Sequence, residues 1–197
     1  MDDVRHSGGI EKERTSSMSN YKENAEFIKN FLDGADCHYE MQDHGSLATF
    51  RGEIGGFKGL YNSFRFIMFV DDYVAQNYTA LPVSFKDKLP QMAEFITRAN
   101  YDLKYGAFKM NYHSGDVCFH LTFPMAAIRA DKMHLTTFLA IPAQMLDQYA
   151  KGFTEVFMGL KTPEEAIKDC KGDGSVELRF RSRGERGHIV KTQKEEE

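Results

Sequence analysis

The chain has 197 residues, of which 13% are aromatic, with ten Met, three Cys, no Trp and a net charge of −4. That length holds one domain or at most two small ones, and its apolar content excludes wholesale disorder. The acidic balance argues against the chain as a whole gripping a nucleic-acid backbone, which calls for a basic excess. No apolar run approaches the ~20 residues of a membrane helix, and the opening MDDVRHSGGIEKER lacks a secretory apolar region. Cys37, Cys118 and Cys170 are odd in number and scattered, which fits reduced thiols and a cytoplasmic location.

Residues 1–18 offer only Met1, Val4, Ile10 and Met18 as apolar side chains, so they are expected to form a mobile tail. Ser19 and Asn20 can each cap a helix. Tyr21, Ala25, Ile28 and Leu32, with Phe31 beside them, then recur at helical spacing until Asp33-Gly34, predicting a helix over about 20–33. His38–Gln42 and Leu47–Ile54 flank the turn residues Asp43-His44-Gly45-Ser46, a hairpin signal. Glycines at 52, 55, 56 and 59 interrupt the pattern before two more strand signals, Ser63–Val70 (SFRFIMFV) and Tyr73–Leu81.

A second helix is predicted from about Lys86 to Ala99, with Leu89, Met92, Phe95, Ile96 and Ala99 in one stripe and Pro90 in the first turn. Leu103–Asn111 and Asp116–Phe123 make the next hairpin around His113-Ser114-Gly115. Met133, Leu135, Thr137, Leu139 and Ile141 alternate with a strand period. Pro142 then opens a third helix, about 142–158, buried along Met145, Leu146, Tyr149, Phe153, Val156 and Phe157. Thr162-Pro163-Glu164-Glu165 is a capping box for a short helix of about 163–171. Residues 172–197 turn charged and are expected to be flexible, with at most a short strand over 175–182.

Ala25-Glu26-Phe27-Ile28 recurs as Ala93-Glu94-Phe95-Ile96, and the element order that follows is similar in both places. A pseudo-repeat of 20–81 and 86–141 is therefore in view. The element string αβββ(β)–αβββ–α predicts a single α+β domain over 19–171, an antiparallel sheet of about five to seven strands with three main helices.

From the second helix onward the residues resemble a known family. Asn100-Tyr101-Asp102-Leu103-Lys104-Tyr105-Gly106-Ala107-Phe108 matches the N-Y-x-L-x-x-G-x-F segment of the YbjN-domain family. Gly115, the strand Val117–Leu121, Leu81-Pro82, the Tyr149 helix ending at Gly159 and Pro163-Glu164-Glu165-Ala166 fit as well, so the resemblance covers about 60–171. Members are described as proposed sensory-transduction regulators of bacteria with a fold like that of type III secretion chaperones. The resemblance implies an often dimeric, protein-binding module without an assigned active site, and its turn glycines and core aromatics speak to fold rather than function.

Catalytic signatures are sparse. G-x-S-x-G, S-x-x-K, H-E-x-x-H and C-x-x-C are all missing, and Gly52–Gly59 lacks the spacing of a phosphate loop. Cys118 and His120 share a strand face with His113 in the adjoining turn. They are the one neighbourhood where a metal, small ligand or enzyme chemistry would sit, although a strand with one polar face is the plainer reading. No cofactor is expected. Asp71-Asp72 fits a turn better than a carboxylate site. Nucleic acid would have only the basic terminus, Arg179, Arg181, Arg183 and Arg186, to hold, and a solvated end explains those residues as well.

Ser63–Val70 is apolar on both faces: Phe64, Phe66, Met68 and Val70 on one, Ile67 and Phe69 with Arg65 on the other. A sheet covered by helices on one side exposes the other, so a doubly apolar strand implies a second cover. Arg65, Ile67 and Phe69, with Phe138 joining them if 133–141 is a strand, are the candidate surface for a protein partner or a second copy. The sequence thus favours a non-enzymatic interaction or regulatory module.

Overall fold

The computed structural model describes residues 20–35 and 37–170. The expectations for 1–18 and 172–197, the arginines there included, lie outside those residues. Six strands, β1 (His38–Asp43), β2 (Ala48–Gly55), β3 (Ser63–Val70), β4 (Val74–Ser84), β5 (Ala107–Met110) and β6 (Asp116–Pro124), form one antiparallel sheet in the order β1-β2-β3-β4-β6-β5. The helices are α1 (Tyr21–Gly34), α2 (Leu89–Asn100), α3 (Met125–Ala130), α4 (Lys132–Phe157) and α5 (Pro163–Cys170), and a single 3₁₀ turn over Lys86–Lys88 leads into α2. The architecture is α+β, as the alternation of strand and helix periods requires. Among the described residues no helix is long and apolar enough to cross a membrane.

Strand alternation and register place all the large core side chains on one side of the sheet. Phe50 lies opposite Met68, Met68 opposite Asn77, and Asn77 opposite Leu121. Phe66, Thr79, Phe119 and Phe108 form the neighbouring row. These groups are buried beneath the helices, where Phe108 meets Tyr149 and Phe153 of α4 with ring centroids 5.0 and 5.4 Å apart. Gly52 sits in β2 because the Phe66 ring lies over it: a Cβ there would stand 2.6 Å from that ring. Gly106 takes φ +68° next to the Phe119 ring, which accounts for the glycine in the Asn100–Phe108 segment.

The starts of α1 and α5 are fixed by side chains, distant ones at α1 and local ones at α5. Asn20 precedes α1 without capping it; instead Tyr21 N donates to Asp72 Oδ1 at 2.7 Å, across the β3–β4 turn. Asp71 holds that turn by accepting from the Tyr73 and Val74 amides, both at 2.8 Å. The neighbouring Asn24, 2% exposed, donates to the Asp71 carbonyl and accepts from Arg129, tying α1 and α3 to the turn. At α5, Thr162 and Glu165 exchange the reciprocal bonds of a capping box.

One element departs from its sequence pattern. Residues 133–141 are helix, not strand, and the third helix begins ten residues before Pro142 rather than at it. The alternation of Met133, Leu135, Thr137, Leu139 and Ile141 coexists with a second spacing, Leu135, Phe138, Leu139 and then Ala143 and Leu146, which puts five buried groups on one helical face. Asp131 starts the helix by accepting from Met133 N at 2.8 Å. Pro142 is then internal, and its missing N–H would leave the Phe138 carbonyl bare. Asn77 of β4 supplies the substitute, donating Nδ2 to Phe138 O at 2.9 Å while its Oδ1 accepts from Thr79. The order therefore runs αββββ–αββ–ααα, and the likeness between the two halves ends after the second hairpin.

Candidate interaction face

The sheet side turned away from the helices carries the odd-numbered residues of β2 and β3 and the even-numbered ones of β1, β4 and β6. Register sets them in rows across the strands. One row runs His38, Glu53, Arg65, Ala80, Cys118, Lys109; the next runs Glu40, Arg51, Ile67, Tyr78, His120, Ala107; a third runs Gln42, Thr49, Phe69, Gln76, Thr122. Ile67 is 38% exposed and Phe69 36%, at the centre of this face. Arg65, Arg51, Glu40, Glu53 and Lys109 are exposed around them.

The centre is organised by ring contacts. Phe69 meets Tyr78 edge to face with centroids 5.9 Å apart, and Tyr78 lies against the His120 imidazole at 4.2 Å and 30°. Lys109 Nζ stands 5.5 Å over the Tyr78 ring, a cation–π arrangement. Tyr78 Oη donates to Gln76 Oε1 at 3.1 Å, and Thr122 Oγ1 lies 3.2 Å from His120 Nε2. Thr49 is the one covered member of its row, with His44 of the β1–β2 turn 3.0 Å from its hydroxyl. Partial burial, with Lys109 nearby, holds the His120 imidazole below its ordinary pKa. Burial raises the Cys118 thiol, with Lys109 opposing the shift and Asp116 adding to it, so this cysteine is poorly suited to act as a nucleophile.

Three of the four residues singled out by sequence stand together: Arg65, Ile67 and Phe69 lie side by side on the open face. Phe138 does not join them. Residues 133–141 form helix, so Phe138 lies on the opposite side of the sheet, 0% exposed, with its ring 6.3 Å from Phe123 and its carbonyl bonded to Asn77. Cys118 and His120 are on the open face. His113 is in the β5–β6 turn, at least three ladder positions or about 10 Å from His120, too far to share a ligand with it directly. Among the described residues no three His, Cys, Asp or Glu side chains are grouped to hold a metal ion, and Cys37, Cys118 and Cys170 form no disulfide.

Sequence reasoning passed over Tyr78 and Lys109, which complete the platform. The alternation of β4 was legible, but which of its two sides stays open follows from the pairing with β3 and β6. Comparison with protein-family models, with curated proteins and with solved structures finds no match to this chain.

Proposed function

We infer that this protein is a non-enzymatic interaction or regulatory module that binds another protein through the open face of its sheet. One observation carries the reading: the six-stranded sheet has the described helices on one side and, among the described residues, an apolar, aromatic centre on the other, with charges of both signs at its margin. Protein-binding patches have this anatomy, a depleted-charge centre within a polar rim. Cys118 and His120 are part of the same open face, with the Cys118 thiol raised by burial and the His120 imidazole lowered by it, and among the described residues neither belongs to a group of three that could hold a metal ion. The resemblance to YbjN-type regulators and their chaperone-like fold points the same way and belongs to this proposal.

The test is a photo-crosslinking residue at position 78 of the full chain in its native cell, with a control at exposed Lys151 on the helical side. Protein adducts formed from position 78 and not from 151 support the reading. Adducts to RNA alone, or none above the control, overturn it.

A further inference from the structure

We propose that residues 56–62, the connection from β2 to β3, form a strap that is shut on α4 while the Asp147 carboxyl is protonated and lifts when that carboxyl ionises. The device stands apart from the open face. It lies on the helical side of the sheet, and none of its residues belongs to the rows described above.

The strap is built to lie down on that side. Gly56, just beyond β2, takes φ +94°, a left-handed value that turns the chain out of the ladder. Its amide and that of Phe57 both donate to the Asn62 carbonyl, at 3.1 and 3.3 Å, which closes the loop at its base. Phe57 and Tyr61 anchor the flanks: their rings meet the buried Phe64 ring edge to face, with centroids 5.0 and 6.1 Å away. Lys58, Gly59 and Leu60 form the exposed crest.

The crest rests on a carboxyl group. Asp147 stands in the middle of α4, and the Gly59 backbone is so close that a Cβ there would run into Oδ1 and stand 3.0 Å from Cγ. Oδ1 is buried at this contact and meets no hydrogen-bond donor among the described residues. A methylene group thus fills the place where a carboxylate oxygen ordinarily has water or an N–H. A neutral carboxylic acid tolerates that setting, because Oδ2 can carry the proton and Oδ1 is then only a weak acceptor. An ionised carboxylate does not, since a buried charged oxygen without a donor forfeits its hydration.

The groups packed around the carboxyl leave it unrelieved. Burial is the one cause that raises the Asp147 carboxyl above its ordinary range. Along α4, Gln148 donates to the Cys170 carbonyl, and Lys151 is turned to Glu155 at 3.7 Å. Toward α5, Lys161 is held between Glu155 and Asp169; from α3, Arg129 is bound to Glu23 and Asn24 of α1. The covered rows of β4 and β6 beneath α4 carry no titratable group. Lys58, the strap's own cation, is exposed and adds nothing to the shift.

Closing the strap is therefore linked to proton uptake at Asp147. The carboxyl is raised in the closed state and ordinary, about 3.9, in the open one. Its contribution to closure is complete below that ordinary value and is lost as pH rises through the closed-state value. The strap is clamped in acid and loosened toward neutrality, and loosening bares the side of Phe64 that Phe57 and Tyr61 cover.

Amide hydrogen exchange of the full chain, followed by NMR and corrected for the intrinsic effect of pH, tests the strap. The reporters are the Gly56 and Phe57 amides, and the Met68 amide of the central β3 reports opening of the whole fold. In the wild type, reporter protection relative to Met68 should be several-fold lower at about pH 7 than at about pH 4, close to the ordinary carboxylate value. Asp147→Asn, uncharged throughout, should keep the acid-side protection at both. Gly59→Ala, whose Cβ meets Oδ1, should lower reporter protection at both pH values and leave Met68 unchanged. Wild-type protection that does not fall with pH overturns the proposal. So does an equal fall in Asp147→Asn, or a Gly59→Ala chain with reporters as protected as the wild type.

Discussion

The two sides of one sheet are built from the same strands, yet they have opposite fates. On β3, Phe64, Phe66, Met68 and Val70 are buried to 5% exposure or less, while Ile67 and Phe69, one residue away each, stay more than a third exposed. The difference does not come from side-chain chemistry, since both sets are apolar. It comes from where the helices go: α1, α2 and α4 join the core side through Ile28, Phe95, Leu146 and Phe153, and the other side receives charged residues at its margins instead. Burial on one side drives folding, and the exposed apolar surface on the other is what the proposed partner would cover.

The comparison can be broken hardest from the covered side. Phe119→Ala removes a ring that packs 5.0 Å from Phe108 in the fully buried row and should cost about 3–5 kcal/mol, read as a lowered denaturation midpoint. Next comes the polar clasp inside the core. Asn77→Ala leaves the Phe138 carbonyl without its donor and should cost about 1–3 kcal/mol. In a Pro142→Ala background the restored amide can bond that carbonyl along α4, so the same change should cost clearly less. An equal cost in both backgrounds would show that Asn77 acts by packing alone.

On the open side the effects on stability are smaller. Partial burial, and then Lys109 nearby, lower the His120 pKa, with Tyr78, Cys118 and Thr122 as its other neighbours. The folded chain therefore takes up its proton less readily than the unfolded chain. Stability should be flat above the free imidazole value of about 6.5 and decline as pH falls below it. His120→Gln should flatten that decline in thermal melts recorded between about pH 7 and 5, around that same imidazole value. The smallest change in stability is expected from Phe69→Ser, within roughly 0.5 kcal/mol, because the ring is already partly in water. A loss as large as that of Phe119→Ala would mean that both sides are core and would erase the contrast.

Much of this arrangement was legible in the chain. The helices at 21–34, 89–100 and 163–170 and the two hairpins follow from apolar spacing and turn residues, with ends displaced by a few residues at most. The repeated Ala-Glu-Phe-Ile shows where local pattern stops being informative. Phe95 of the second copy is fully buried against Tyr149 and Phe153 of α4, whereas Phe27 of the first is only partly covered. Identical residues at identical helical positions differ because one helix lies under α4 and the other lies at the β2–β3 end of the sheet. For the candidate face, Arg65, Ile67 and Phe69 were readable from alternation within one strand. Tyr78, His120 and Lys109 joined them only through ladder register.

By itself, then, the sequence determined that this is an α+β chain with an antiparallel sheet, and that β3 has an apolar side too many. A period of two or of 3.6 is a property of neighbours along the chain and needs no tertiary knowledge. Tertiary structure alone decided the state of 133–141, where both periods fit. A helix there could run through Pro142 only because Asn77, 61 residues distant, took over the stranded carbonyl. The same packing carried Phe138 to the covered side and left Ile67 and Phe69 facing outward, because helices can shield both sides of a sheet only when connections cross both, and among the described residues they cross one.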